Sequence, residues 1–229
     1  MSVIATVYVA FLQQRFTRAR ERESRDVALA RVVSRYREPL MLAAFDLQSR
    51  LYNIARKNFL GYLRAGREED KRYARENTLY LFGQFFGWVE ALRVDVQFLD
   101  LGDVARARQL NDLQDQVRGS LASDEHQDTR FRIFWGKQRA IGELMLLPAG
   151  DAASPDAPRR CMGFASFSAR LRDDPEFERW FVQLDQDLVS LAESPGEATR
   201  LVATQHALVD LITSLDVQRR LPEKQLTKA

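Results

Sequence analysis

Between Val3 and Leu12 the sequence reads VIATVYVAFL, with Thr6 as its one polar side chain. Drawn as a helix, this run is apolar on every side, so no face of it suits water and something must cover it. From Gln13 to Asp26 the pattern inverts. Arg15, Arg18, Arg20, Arg22 and Arg25 mix with Glu21, Glu23 and Asp26, and Phe16 is the one large apolar residue. A helix polar nearly all round is a stalk or a solvated arm, not a core element. At ~1.5 Å per residue the apolar run covers roughly 15 Å, about half of the ~30 Å hydrocarbon core of a bilayer. As written it dips into a membrane without crossing it, unless residues upstream of Met1 complete a span. It makes a poor secretory signal, because the basic charges follow the apolar run and no small-x-small cleavage site separates the two.

Two shelters are open to such a run. The leading expectation is a membrane surface, met through Val3, Ile4, Val7, Tyr8, Phe11 and Leu12, with Arg15 and Arg18 close to anionic headgroups. The Arg cluster would then keep the following body on the cytoplasmic side of the cell membrane. The alternative is a soluble cytoplasmic protein whose arm covers its apolar surface on the bundle, on a protein partner or on a second copy of the chain.

Composition narrows the partners further. The 34 basic and 32 acidic residues leave a formal charge of +2, so a phosphate-tracking surface would need local clustering, and no nucleic-acid partner is expected. Only five of the basic residues are lysine, a bias that a GC-rich genome produces without selection for anion recognition. Cys161 is the single cysteine, which excludes an intramolecular disulfide; with two separated histidines it gives no zinc set. No metal and no cofactor is expected.

Beyond the arm, 45% hydrophobic residues suffice for a core. Pro39 suits the first turn of a new helix, carried on by Leu40, Ala44, Leu47, Leu51 and Ile54 to about Arg64, with Gly66 as its stop. A third helix runs from Glu68 to about Leu99; its middle, LYLFGQFFGWV, is too short to span and reads as a central core helix, with Gly83 and Gly87 letting a neighbour approach. Asp103 should cap a helix reaching about Leu121, and another begins near Lys137. Residues 148–160, with three prolines, read as a mobile loop. Asp174 and Pro175 open a further helix, and Ser194 with Glu197 matches a capping box for the last one. The expected fold is all-α: an antiparallel bundle of about six to eight helices with a protruding N-terminal helix. Its parts are an anchor and stalk over 1–26, one domain over 27–215 and a frayed tail over 216–229.

No sequence pattern names a chemistry. There is no nucleophile elbow, P-loop, dinucleotide fingerprint or HExxH, and no catalytic residue is assigned. His126 sits among acids without calcium-loop or zinc spacing, and His206 flanks an apolar stripe. Polar residues do interrupt the apolar faces of the second and third helices. Asp46, Arg50, Asn53 and Glu90 are expected to form a structural polar network, or else to line a pocket for a small polar ligand or partner. An enzyme using them is the third reading, after a membrane-associated interaction module and a soluble self-associating or ligand-binding bundle. The stretches RYREPL, DLQSRLYNI and QRAIGELM together resemble a group of uncharacterised bacterial proteins with an N-terminal hydrophobic segment and a helical cytoplasmic body. The resemblance covers the central half of the chain, implies an anchored helical body and carries no site residues. The apolar run here is shorter than the spanning segment such proteins usually have.

Overall fold

The computed structural model describes residues 3–97, 105–148, 159–196, 198–216 and 218–229, and the side chains of residues 3–12, 22, 25, 26, 28–30, 33, 97, 105–110 and 223 fall outside that description. The chain is all-helical. Its elements are α1 Val3–Arg56, α2 Gly61–Ala65, α3 Glu68–Gln97, α4 Ala105–Ala122, α5 Trp135–Met145, α6 Phe164–Asp173, α7 Pro175–Glu178, α8 Val182–Glu193 and α9 Thr199–Leu215. A 3-10 turn follows at Glu223–Gln225. Of the α-helices among the described residues, seven run ten residues or longer, and α2 and α7 are single turns.

The expected helix start at Pro39 is not there: α1 is one continuous helix of 54 residues with Pro39 inside it. A proline in a helix interior costs ~3 kcal/mol through one lost hydrogen bond and a steric clash. Tyr36, Leu40, Met41, Ala43 and Ala44 around it are all buried, and burying large apolar side chains at ~1.5–3 kcal/mol each outweighs that loss. The helix stops earlier than Gly66. Asn58 takes a left-handed conformation with φ 51°, and the Phe59 amide turns back to the Asn53 carbonyl at 3.1 Å. Asparagine tolerates that region better than most residues, which makes it the stop signal here.

The inner half of α1 lies between α3 and α9, with α5 covering the far side of α3 and α4 packing on α9. The pairings are antiparallel. Arg50 meets Asn77 and Thr78 while Tyr36 meets Asp95, and Gln48 meets Gln205 while Arg37 reaches the Leu215 carbonyl. Leu40, Leu47 and Leu51 of α1, Phe82 and Phe85 of α3 and Leu201, Leu208 and Leu211 of α9 are fully buried in the shared core. Helices α6 to α8 close one side with Phe167, Phe177 and Phe181 stacked at 5.0–5.5 Å between centroids.

The two glycines of α3 sit at its crossing with α5. A Cβ at Gly87 would lie 2.8 Å from the Cys161 sulfur and 3.0 Å from Met145 Cβ, and one at Gly142 would lie 2.6 Å from the Phe86 carbonyl oxygen. The helices touch backbone to backbone, so this GxxxG serves a core contact. Among the described residues no helix is long and apolar enough to cross a membrane.

Two further expectations change, and two lie outside the described residues. Ser194 ends α8 instead of capping α9, which starts at Thr199 after Ala198; Glu197 lies outside the described residues. Asp103 and residues 149–158 of the expected loop lie outside them as well. The segment after α9, expected to fray, is held. Asp216 accepts the Arg220 and Leu221 amides at 2.9 Å, and Leu221 and Leu226 pack on the core. Asp174, by contrast, caps α7 through the Phe177 amide at 3.1 Å, with Pro175 in the first turn.

Candidate functional site

The four polar residues singled out on the second and third expected helices do not converge. Arg50 is buried on α1, where Nη1 donates to Thr78 Oγ1 and Nη2 to Asn77 Oδ1, both at 2.7 Å. Its guanidinium lies 3.9 Å from the centre of the Phe59 ring. Burial pulls its pKa down. Glu90 lies twelve residues beyond Thr78 along α3, roughly 18 Å away by helical rise. It is buried against the Arg93 guanidinium, which donates to both carboxylate oxygens, with Arg139 at 3.9 Å. Asp46 is exposed, with no hydrogen bond or ion pair among the described residues. The Asn53 carbonyl serves the helix end by accepting from Lys57 and Phe59. Among the described residues, neither sizeable groove is lined by any of the four.

Three polar clusters carry more of the architecture than that set. Tyr36 donates to Asp95 Oδ2 at 2.6 Å and accepts the Arg159 amide at 2.9 Å, while Arg159 Nε reaches Asp95 Oδ1 at 2.8 Å. This ties the end of the 148–160 segment onto α1 and α3. Burial and the bond to Asp95 hold the Tyr36 hydroxyl above its ordinary pKa. The second cluster joins α1 and α9 to the segment after α9: Gln205 Nε2 donates to Gln48 Oε1 at 3.0 Å and to the Thr227 carbonyl at 2.9 Å, and Gln48 Nε2 donates to the Gln225 carbonyl at 3.0 Å.

The third is Arg200, buried at the start of α9. Its guanidinium donates to the carbonyls of Ser120, Leu121, Ser123, Asp128 and Arg130 at 2.7–3.3 Å. It has carbonyls in place of a carboxylate as partners, and desolvation pulls its pKa down. Together they fix the loop 123–131, in which Phe131 is buried in a left-handed conformation with φ 59°. The Phe131 amide donates to buried Asp187 at 2.8 Å, which offsets part of the ~1–2 kcal/mol that such a conformation costs. The sequence offers no spacing that announces Arg200; its one signal is a cation beside Leu201, one turn before Thr204 and Gln205 on the buried face of α9.

Two sizeable surface grooves lie among the described residues. One of about 920 Å³ lies between α2–α3 and α6–α8, but its charges alternate and Arg75 bridges it to Asp185 Oδ1 at 2.7 Å. The other, about 790 Å³, is bordered by Arg56, Arg64 and His206 over Ile54, Leu60 and Val202. Neither contains a nucleophile beside a base. Burial pushes the Cys161 thiol up to about 12, so little of it is thiolate near neutral pH. Around His126, Asp124 pairs with Arg132 and Asp128 with Arg130, and no group of three metal-ligating side chains occurs among the described residues.

The arm is the remaining feature. Every residue from Gln13 to Glu21 is exposed, including Arg15, Arg18 and Phe16, the last 67% exposed. Nine successive helical positions sample all sides, so no face of this stretch rests on the body. Val3, Ile4, Val7, Tyr8, Phe11 and Leu12 continue the same helix, and their side chains lie outside the described residues. The chain matches no family model, no curated protein and no solved structure.

Proposed function

We propose that the chain is a non-enzymatic helical interaction module held at the cytoplasmic face of the cell membrane by residues 3–12. The observation that carries this reading is the unbroken α1, exposed on every side from Gln13 to Glu21. From Leu12 to Tyr36, the first buried residue described, the helix rises roughly 36 Å. An apolar run at the far end of such a lever is carried away from its own body and needs a separate shelter. Lipid suits it: the run enters the interface, and each basic side chain near an anionic surface adds ~1 kcal/mol, part of it offset by Glu21 and Glu23.

Flotation on vesicles containing phosphatidylserine tests this. The full chain is expected to rise with the vesicles, and a Val7→Asp, Phe11→Asp variant to stay in the dense fraction. Equal recovery of the two proteins rejects the anchor. A discrete oligomer by light scattering that is indifferent to vesicles and dissociates in the same variant assigns the shelter to a second copy instead.

A further inference from the structure

The groove of about 790 Å³ has no part in the membrane reading. It lies where the end of α1 and α2 meet the end of α8 and the start of α9, and its floor is core: Ile54, Leu60, Leu191 and Ala192 are all buried. A floor of this kind favours an apolar group that displaces water from it.

The rim is cationic. Arg56 and Arg64 border the groove, and no carboxylate lines it among the described residues. Arg64 Nη2 donates to Asn58 Oδ1 at 3.2 Å, and neither arginine has an ion pair among the described residues. Elsewhere on the body Arg75, Arg93, Arg130, Arg159 and Arg170 each meet an acidic side chain. The first turn of α9 forms one wall through Ala198 and Thr199, where the helix dipole adds positive potential. His206 also lines the groove, but its Nε2 stands 2.7 Å from the Ala229 carbonyl, which leaves the two arginines as partners for an anion.

A cationic rim over an apolar floor selects an anion that carries a hydrocarbon tail. Guanidinium groups hold such a head through charge-assisted hydrogen bonds, and the floor suits a tail with no polar groups of its own. An extended peptide fits worse, because main-chain N–H and C=O groups laid on Ile54, Leu60 and Leu191 would go without partners. Residues 3–12 of a second copy are disfavoured by charge, since Arg15 and Arg18 would follow them towards Arg56 and Arg64. Between Leu12 and Arg56 α1 rises roughly 66 Å, so a bilayer that holds the arm is far from the groove.

We infer that this groove is a binding site for a soluble single-chain amphiphile with an anionic head, of the fatty-acid kind. Its head pairs with Arg56 and Arg64, and its tail lies along Ile54, Leu60 and Val202. The inference does not rest on the membrane reading, since the groove belongs to the body.

Calorimetric titration of the full chain with dodecanoate, kept below its micelle concentration, tests this. One saturable site is expected, with dodecyltrimethylammonium and acetate each at least about tenfold weaker, since one reverses the charge and the other lacks the tail. An Arg56→Gln, Arg64→Gln variant, altered only at exposed positions, should lose at least about tenfold in affinity. The Val7→Asp, Phe11→Asp variant should bind dodecanoate as the unmodified chain does, which separates the groove from the apolar run. Absence of saturable binding, equal binding of the cationic amphiphile, unchanged affinity in the double Gln variant, or loss of binding in the arm variant overturns the proposal. Loss of flotation in the double Gln variant overturns it too, by making bilayer lipid the source of the anionic head.

Discussion

The two halves of α1 belong to one helix and obey different physics. From Tyr36 to Ile54 its inward positions are buried between α3 and α9, and polar residues there, Gln48 and Arg50, have partners on other elements. From Gln13 to Glu21 the same backbone carries exposed charge on every side. Most helical stability in proteins comes from tertiary packing of one face, and a free helix is marginal even when its propensity is good. The outer half therefore depends on the inner half as a template, with local Arg and Glu pairs adding a few tenths of a kcal/mol each.

Substitutions on either side of this divide should behave accordingly. The largest effect is expected from Leu47→Ala, which empties a site of 0% exposure at the heart of the inner half and should cost about 3 kcal/mol in urea denaturation. A loss under 1 kcal/mol would mean that the inner half is not the core it appears from burial. Next, Pro39→Ala restores a donor inside the helix and removes a clash. It should raise stability by about 2 kcal/mol, less than the full interior-proline cost because alanine also frees the unfolded chain. A decrease would show that the ring itself packs favourably where the halves join. The smallest effect belongs to Phe16→Ala, within about 0.5 kcal/mol of the unmodified chain. A loss above 1 kcal/mol would place Phe16 in a contact and erase the contrast.

Apolar periodicity carried much of the fold, because Leu201, Leu208, Leu211 and Ile212 or Phe177, Phe181, Leu184 and Leu188 repeat at helical spacing wherever the helix happens to pack. The boundaries were less legible. Pro39 and Ser194 carry strong local signals, yet burial around Pro39 overrides one, and Ser194 serves the end of α8 in place of the start of α9. Partner identity was hardest to read. That Arg50 and Glu90 would be buried polar residues follows from their positions between apolar neighbours. That Glu90 meets Arg93 is an i,i+3 pairing within α3, but that Arg50 would meet Asn77 depends on the register of α1 against α3, which no local pattern encodes. Gln205 and Arg200 engage backbone groups, which are the same at every residue and leave no trace in the sequence.

Arg200 also orders events in time. The carbonyls it gathers lie 70 to 80 positions earlier in the chain. At ~5–20 residues per second, a ribosome needs several seconds to travel from that loop to the cation that closes it. Until α9 emerges, the Asp187 bond is the one polar partner described for Phe131 in its unfavourable backbone geometry, and the carbonyls around it still await their cation.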